Sequence, residues 1–269
     1  VSLGDPTSKI LYDHDPSGTL QTKTETSAEG VIQGRYDDGV LSYQIAASTE
    51  GVTRTSFDLD GTTVAQEEHW PAGMVEHYNT GSVVSLGDPT SKILYDHDPS
   101  GALITKTEET TEGPILVSQE HYDDGVLSYQ IAVGDEGVTR TSFDLDGTTV
   151  TSESHWPAGT KWSSGNLDND EAVSSIVYDH DASGTLITKT EAGAEGVTKT
   201  TFESDGETVQ VEEHWPVDTS LSQISQGTIT AASSTAYDYD QYSGVLTSKI
   251  DAGAEGVTKT TFESDGETV

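Results

Sequence analysis

The first 18 residues of the chain, VSLGDPTSKILYDHDPSG, occur again without change at Val84–Gly101. Two shorter relatives of this tract follow, and Ala192–Val209 is identical to Ala252–Val269. Repetition at a fixed period indicates one supersecondary unit that is copied along the chain and packs against its neighbours. It also favours a structural or binding role over catalysis, because an active site needs one asymmetric set of residues.

Four tyrosines mark the period: Tyr12, Tyr95, Tyr178 and Tyr237. The first three are spaced 83 residues apart, whereas the last follows after 59. The segment YDDGVLSYQIA, present at Tyr36–Ala46 and Tyr122–Ala132, has no copy in the third unit. Because the last unit stops inside a module whose earlier copies continue to Glu-His-Trp-Pro, we expect the chain to be a segment of a longer protein. We predict four repeat units: 1–83, 84–166, a shortened unit 167–225 and a partial unit 226–269.

A smaller theme recurs within each unit: an aromatic residue and Asp, a short turn with Gly, and a run rich in Thr, Val and Leu. Examples are YDHDPSGTL at Tyr12–Leu20, YDDGVL at Tyr36–Leu41 and FDLDGTTV at Phe57–Val64. Asp-Gly between two extended runs indicates a hairpin, since Gly accepts positive φ and Asp bonds to the turn backbone. Helical periodicity is missing throughout. The sequence predicts an all-β fold of tandem β-hairpins, stacked into an elongated, solenoid-like or fibre-forming sheet array.

The composition leaves little material for a closed core. With 47 acidic and 12 basic residues the formal net charge is −35, and 32% of the residues are hydrophobic. Low hydrophobicity with high net charge is also typical of intrinsic disorder, but the regular aromatic residues and the turn chemistry argue against that alternative. We therefore expect sheets that stack on one another or on other copies, with cations offsetting the mutual repulsion of the carboxylates.

The same composition excludes several function classes. Nucleic acid is not an expected partner, because phosphate binding needs clustered Lys and Arg. Membrane insertion is not expected either, because the chain has no apolar run of a length that spans a bilayer. Cysteine is absent, and no nucleophile elbow, metalloprotease motif or nucleotide-binding loop is present. We predict a protein that is not an enzyme, and acidic repeats rich in Thr, Ser and Gly favour an extracellular or cell-surface location.

The acidic turns are candidate metal sites. Alternate aspartates before a glycine resemble the first half of a calcium loop, which supplies about six to eight oxygen ligands. The trailing Glu of a complete loop is missing, so an adjacent module would have to complete each site; the alternative is that the aspartates only cap their turns. The same two interpretations, calcium binding and turn capping, apply to the acidic run Leu167–Glu171. Ca²⁺ is the one candidate cofactor. The candidate ligands are Asp13, Asp15, Asp58, Asp60, Asp96, Asp98, Asp144, Asp146, Asp179 and Asp181.

A second motif, His-Trp-Pro preceded by Glu, occurs once in each of the first three units, at Glu67–Pro71, Glu153–Pro157 and Glu212–Pro216. An exposed Trp in this setting could stack on a sugar ring. Alternatively, each Trp is a packing plug between modules, followed by a proline that ends the strand. The candidates for ligand binding or inter-module packing are His69, Trp70, His155, Trp156, His214 and Trp215.

The modules YDHDPSGTL, YDDGVL and YDYDQYSGVL resemble YD repeats, the tyrosine-aspartate hairpins of Rhs-type and other large bacterial surface proteins. The resemblance implies long β-sheet ribbons, which in some members coil into shells around a toxin and in others serve in adhesion. The chain departs from the family pattern because the arginine that often follows the glycine is absent and several turns carry insertions. In four modules phenylalanine replaces the tyrosine: Phe57, Phe143, Phe202 and Phe262.

These features predict a structural extracellular repeat protein that self-assembles through exposed strand edges into a fibre, sheath or stalk, with Ca²⁺ as a candidate stabiliser. One alternative is an adhesin or carbohydrate-binding array of the cell surface, which would bind a glycan at the His-Trp-Pro sites. A second alternative is a fragment of a YD-repeat shell that encapsulates a toxin.

Overall fold

The computed structural model describes residues 8–72, 87–110, 117–160, 162–163, 166–167 and 172–263. These residues form antiparallel β-strands and one short helix, so the predicted all-β fold of tandem hairpins is confirmed. The chain divides into two compact units, Val1–Asp135 and Glu136–Val269. No helix in the described ranges is long and apolar enough to cross a membrane.

The first unit is a meander in which each strand pairs antiparallel with the next one along the chain. Short turns explain this order, because a hairpin brings consecutive strands side by side. Its ten strands are β1 (Ser8–His14), β2 (Leu20–Ser27), β3 (Gly30–Asp37), β4 (Val40–Ser48), β5 (Gly51–Phe57), β6 (Val64–Pro71), β7 (Ser91–His97), β8 (Leu103–Thr110), β9 (Val117–Asp123) and β10 (Val126–Gly134).

The second unit repeats the meander. A separate hairpin of two-residue strands, β13 with β14, lies in the connection between β12 and β15. The strands are β11 (Gly137–Phe143), β12 (Val150–Pro157), β13 (Trp162–Ser163), β14 (Asn166–Leu167), β15 (Ser174–His180), β16 (Leu186–Gly193), β17 (Gly196–Phe202), β18 (Val209–Trp215), β19 (Ser233–Tyr239), β20 (Leu246–Gly253) and β21 (Gly256–Thr261).

Helix α1 (Leu221–Ser225) was not expected from the periodicity of the sequence. It follows a capping box, in which the Ser220 side chain accepts from the backbone N–H of Gln223 and the Gln223 side chain accepts from the backbone N–H of Ser220. The Ser-x-x-Gln spacing is the sequence signal for this start. The helix lies in the connection between β18 and β19, so it leaves the meander intact.

The turns behave as the Asp-Gly pattern predicts. In the two YDDG hairpins both central residues have positive φ: Asp38 at 51° with Gly39 at 83°, and Asp124 at 51° with Gly125 at 80°. Two successive residues of positive φ make a type I′ turn, whose twist matches that of the paired strands. The meander then places all the Tyr-Asp and Phe-Asp turns of a unit at one side of its sheet, which we call the acidic side.

The core is as thin as the composition predicts. Fully buried apolar side chains in the described residues concentrate where a strand that starts with Gly-Val pairs with the end of a His-Trp-Pro strand. In the first unit Val52 lies opposite Trp70, and both pack with Ala47 and Ile45. The same pairing puts Val138 opposite Trp156 and Val197 opposite Trp215 in the second unit.

Candidate assembly interface

The most regular feature of the molecule is the joint between consecutive repeat units, which we call the seam. A seam is the pairing of a Glu-x-His-Trp strand with the Tyr-Asp strand of the next unit, and it occurs as β6–β7, β12–β15 and β18–β19. Each seam pairs four residues of each strand in the same register. The connections that span the seams differ in sequence, so the register comes from the strands themselves.

A tyrosine–glutamate hydrogen bond crosses every seam. The Tyr95 hydroxyl donates to Glu67 Oε2 at 3.0 Å in the first seam. Tyr178 donates to Glu153 Oε2 at 2.9 Å, and Tyr237 donates to Glu212 Oε2 at 2.6 Å. A hydrogen bond to a carboxylate is stronger than one between neutral groups. The tyrosine that marks the repeat in the sequence therefore has a defined partner in the preceding unit.

These contacts shift the ionisation of the tyrosines. Burial, followed by the hydrogen bond to Glu67, raises the pKa of Tyr95 to about 12. Burial and Glu153 raise the pKa of Tyr178 to about 12 in the same way. At Tyr237 the hydrogen bond to Glu212 is the larger cause and burial the second, and the pKa is again about 12. A tyrosinate beside a carboxylate would leave two negative charges in contact, so the seam favours the neutral phenol.

The His-Trp-Pro residues lie at the end of each seam strand. The three indoles are buried, with Trp70 7%, Trp156 9% and Trp215 6% exposed. The packing-plug and the ligand-binding interpretations of these residues both stay predictions.

The three histidines all make the same cross-strand contact. His69 Nδ1 lies 3.1 Å from Thr53 Oγ1, and the corresponding pairs, Thr139 with His155 and Thr198 with His214, are each separated by 3.0 Å. Each Thr–His pair forms a side-chain hydrogen bond between the His-Trp strand and the Gly-Val strand beside it. These histidines therefore belong to the same packing arrangement as the tryptophans.

Glycines at the start of the Gly-Val strands are structural residues that no motif in the sequence indicates. A Cβ at Gly51, which has φ +144°, would stand 2.3 Å from the backbone oxygen of Trp70. A Cβ at Gly137 would stand 2.0 Å from Trp156 O, and one at Gly196 would stand 2.2 Å from Trp215 O. The strand beside the Trp strand therefore needs glycine at this point, for its φ and for the close backbone approach.

The second aspartate of each predicted metal pair caps its own turn. Asp15 Oδ1 accepts from Ser17 N and Thr19 N, each at 2.9 Å, and from Ser17 Oγ at 2.6 Å. Asp98 and Asp181 repeat this pattern, and Asp60 and Asp146 cap the Phe-Asp turns through backbone N–H groups and a Thr hydroxyl. The hydrogen bond from the Thr149 side chain, followed by that from its backbone, lowers the pKa of Asp146 to about 2.

The first aspartates are placed differently. Asp179 Oδ2 accepts from Thr188 Oγ1 at 2.6 Å, Asp144 Oδ1 accepts from Leu145 N at 2.7 Å, and Asp58 Oδ2 lies 3.9 Å from His97 Nδ1. Asp13 and Asp96 lie at the ends of the Tyr-Asp strands β1 and β7.

Neighbouring acidic turns come together on the acidic side. In the second compact unit, Glu136–Val269, a groove is lined by four of the predicted ligands, Asp144, Asp146, Asp179 and Asp181, together with His180. As the side chains are placed, no three His, Asp or Glu residues in the described ranges stand close enough to share a metal ion. Calcium binding at these aspartates stays a prediction. Of the acidic run Leu167–Glu171, residues 168–171 lie outside the described residues.

The first and last strands of the described meander each pair along one edge. Strand β1 pairs only with β2, and β21 pairs only with β20. Tyr12 on β1 is 58% exposed, and Val257 on β21 is 73% exposed. The copies of Tyr12 in the seams are half-buried, and the copies of Val257 beside the Trp strands are buried. We call these the open edges of β1 and β21. An open edge presents unpaired backbone N–H and C=O groups to other strands.

Comparison with known proteins gives structural similarities only. No protein-family model and no curated protein matches the chain. A Tc holotoxin pore of Photorhabdus luminescens matches over 96% of this chain and 14% of that chain, at 12% identity and a TM-score of 0.32. The TcdB2–TccC3–Cdc42 complex matches over 96% and 17%, at 15% identity and a TM-score of 0.27. The TcdB2–TccC3 complex matches over 96% and 18%, at 16% identity and a TM-score of 0.23.

This chain therefore spans less than a fifth of the length of the chains that it matches. At TM-scores of this size the similarities establish neither a family nor a function. The β-hairpin repeat fold is shown by the structure of the chain itself, and membership of the YD-repeat family stays a prediction.

Proposed function

We propose that this chain is a non-catalytic structural protein of the cell exterior, whose β-hairpin repeats assemble into a fibre, sheath or stalk through open strand edges. The observation that carries the proposal is the seam, which recurs three times with the same register and the same Tyr–Glu hydrogen bond. Because the repeats already join through strand pairing within one chain, further strands are expected to join in the same manner at the open edges of β1 and β21.

The thin core supports the same proposal. Few apolar side chains in the described residues are buried, and most of them belong to the Val–Trp pairs. A sheet of this kind gains stability from neighbouring strands more than from a central core, so each added unit stabilises the preceding one. The large negative charge keeps such material soluble until strands pair, because like-charged molecules repel one another.

The experiment is negative-stain electron microscopy of the purified chain over a range of concentrations, with light scattering on the same samples. We expect filaments with an axial repeat, whose fraction rises with concentration. Dispersed monomers at every concentration would contradict self-assembly.

Calcium stabilisation is a separate part of the proposal, supported by the convergence of four aspartates on the groove of the second unit. We expect the melting temperature at moderate salt to rise with Ca²⁺ and to fall on addition of EDTA, because a ligand that binds only the folded state stabilises it. The variant Asp179→Asn keeps an acceptor for Thr188 and removes one charge, so it should weaken the response to calcium. A melting temperature that is the same in EDTA and in Ca²⁺ would contradict calcium stabilisation.

The two sequence-based alternatives lead to different outcomes. An adhesin would bind glycans through the His-Trp-Pro residues, and Trp70→Ala should then abolish glycan binding while assembly persists. A YD-repeat shell would belong to a longer protein with a divergent toxin domain. The sequence downstream of Val269 in the parent gene distinguishes this alternative from the fibre.

A further inference from the structure

The seams are the places where the meander can open without breaking a hairpin. The third seam, β18–β19, pairs four residues of each strand, from Val211 opposite Ala236 to His214 opposite Ser233. The hairpins on either side of it, β17–β18 and β19–β20, each pair six residues of each strand. Because fewer backbone pairs hold the seam than hold its neighbours, we expect the seam to open before they do.

The connection across the third seam allows such an opening. Residues 216–232 link β18 to β19, and the structure describes all of them. Most of these residues are exposed, Thr219 is the one buried residue among them, and helix α1 has no buried residue. At about 3.3 Å per residue the extended connection would reach roughly 55 Å, about ten times the spacing of neighbouring strands. Strand β19 can therefore leave β18 without loss of a core contact in the connection.

We infer that the seams are sites of strand exchange between copies of this chain. In the exchanged form, β19 leaves β18 of its own chain and pairs, in the seam register, with β18 of a second copy, whose own β19 pairs in return. The inference goes beyond the proposed function, because it uses strands inside the meander and does not involve the open edges of β1 and β21. Such an exchange forms a dimer readily, since every native contact is made again between the chains.

The partner is a second copy of this chain because the two sides of a seam fit each other. In all three seams the Glu-x-His-Trp side supplies the carboxylate acceptor and the Tyr-Asp side supplies the phenol donor. The register of four residue pairs is also the same in all three. Copies with a net charge of −35 repel one another, so we expect strand exchange to increase as salt screens the charges.

Cysteine pairs placed across the seam detect strand exchange, because the chain itself has no cysteine. Glu213 lies directly opposite Ser234, so Glu213→Cys with Ser234→Cys can form a disulfide across the seam. This disulfide closes within one chain in the monomer and joins two chains after exchange. The reduced variant is incubated over a range of concentrations at about 0.5 M salt, where surface charges are screened, and is then oxidised. Denaturing, non-reducing electrophoresis separates the products.

We expect covalent dimers whose share rises with concentration toward about 1 mM, the order of the effective concentration that a flexible connection gives. A matched control uses the adjoining hairpin, where Ser234 also lies opposite Ala252. Ser234→Cys with Ala252→Cys should give monomers alone, because that hairpin stays closed. Equal dimer shares in the seam variant and the control, or monomers alone in the folded seam variant at every concentration, would overturn the inference.

A second cysteine pair keeps the test open if the first variant does not fold, as circular dichroism would show. Ser154 lies opposite Ser175 in the second seam, and Ser154→Cys with Ser175→Cys changes only one atom in each side chain. Its control is Ser175→Cys with Ala192→Cys in the hairpin β15–β16. The expected and the contradicting outcomes are the same as at the third seam.

The hydroxyl group of Tyr237 distinguishes exchange at the seam from association elsewhere. Its hydrogen bond to Glu212 has to break before β19 leaves, and it forms again in the exchanged dimer. Tyr237→Phe in the seam variant should therefore speed the approach to the final dimer share roughly three- to tenfold, the effect of one hydrogen bond, and leave that share unchanged. Samples oxidised at successive times measure both quantities. An unchanged rate would overturn the assignment of strand exchange to this seam.

The outcomes separate this inference from the proposed function. Filaments in which every seam disulfide lies within a single chain would leave the fibre standing and overturn strand exchange. Covalent dimers in samples that form no filaments at any concentration would support strand exchange and contradict the fibre.

Discussion

Strands β1 and β7 share one sequence and differ in their surroundings. In β7 the half-buried Tyr95 donates to Glu67, whereas in β1 the exposed Tyr12 has no Glu-x-His-Trp strand beside it in the described residues. The burial of a residue in this fold is therefore set by the neighbouring strand as well as by its own sequence. Strands β17 and β21, which are copies of one tract, also differ in burial because they differ in their neighbouring strands.

The largest effect should come from the glycines of this second pair. We expect Gly196→Ala to lower the free energy of unfolding by about 3 kcal/mol or more, because it combines a φ of +113° with a Cβ 2.2 Å from Trp215 O. Gly256→Ala has a similar φ, +120°, and open space around the Cβ, so about 1–2 kcal/mol is expected. Urea denaturation followed by circular dichroism measures both. Equal losses would show that the Trp strand does not set the difference.

The valines that follow these glycines provide a second matched pair. Val197 is 3% exposed opposite Trp215, whereas Val257 is 73% exposed. We expect Val197→Ala to cost about 2 kcal/mol through lost burial and a cavity. Val257→Ala should change the free energy of unfolding by less than about 0.5 kcal/mol in the isolated chain. A large cost at Val257 would mean that another strand already covers β21.

Removing one hydroxyl group from the tyrosine of β1 or of β7 tests the effect of the neighbouring strand more narrowly. Tyr95→Phe removes the hydrogen bond to Glu67 and should cost about 1 kcal/mol. Tyr12→Phe should be neutral within about 0.5 kcal/mol, because Tyr12 is exposed at an open edge. Thermal melts of the two variants, recorded side by side in dilute solution, give the difference. A neutral Tyr95→Phe would remove the Tyr–Glu bond as a source of stability at the seam.

The smallest effect is a pH dependence of the seams. The pKa of each seam tyrosine, Tyr95, Tyr178 and Tyr237, is raised to about 12, whereas an unfolded tyrosine ionises near pH 10. The folded state thus holds these protons more tightly, so their contribution to stability is complete below pH 10 and is lost as the pH rises to 12. In a variant with Phe at all three seam positions, the free energy of unfolding should fall less between pH 10 and pH 12 than in the wild type. Parallel curves would contradict the tyrosine contribution.

The local part of the fold could be predicted from the sequence. Asp-Gly turns and alternating strands act within about ten residues, so they specify hairpins such as that at Asp38 and Gly39 without help from the rest of the molecule. The turn-capping role of Asp15 is likewise one of the two interpretations that the sequence supports, because the acceptor and its donors lie in one turn.

The seams could not be predicted in the same way. The Tyr95 and Glu67 side chains are separated by a connection of variable sequence, and their contact depends on a register that only the paired strands reveal. The need for glycine at Gly196 depends on how closely the Trp215 carbonyl approaches, which is a tertiary property. A signal was nonetheless present, since each His-Trp motif carries a Glu two residues before its His and each following unit carries a Tyr.

Hydrogen exchange of the two identical strands tests most directly whether neighbouring strands determine stability and assembly. In the dilute chain we predict that the backbone amides of Ser8–His14 exchange much faster than those of Ser91–His97, because only β7 is paired on both sides. In assembled material, the β1 amides should slow to the rates of β7. Equal rates in the dilute chain, or assemblies in which β1 still exchanges as an open edge, would contradict this explanation.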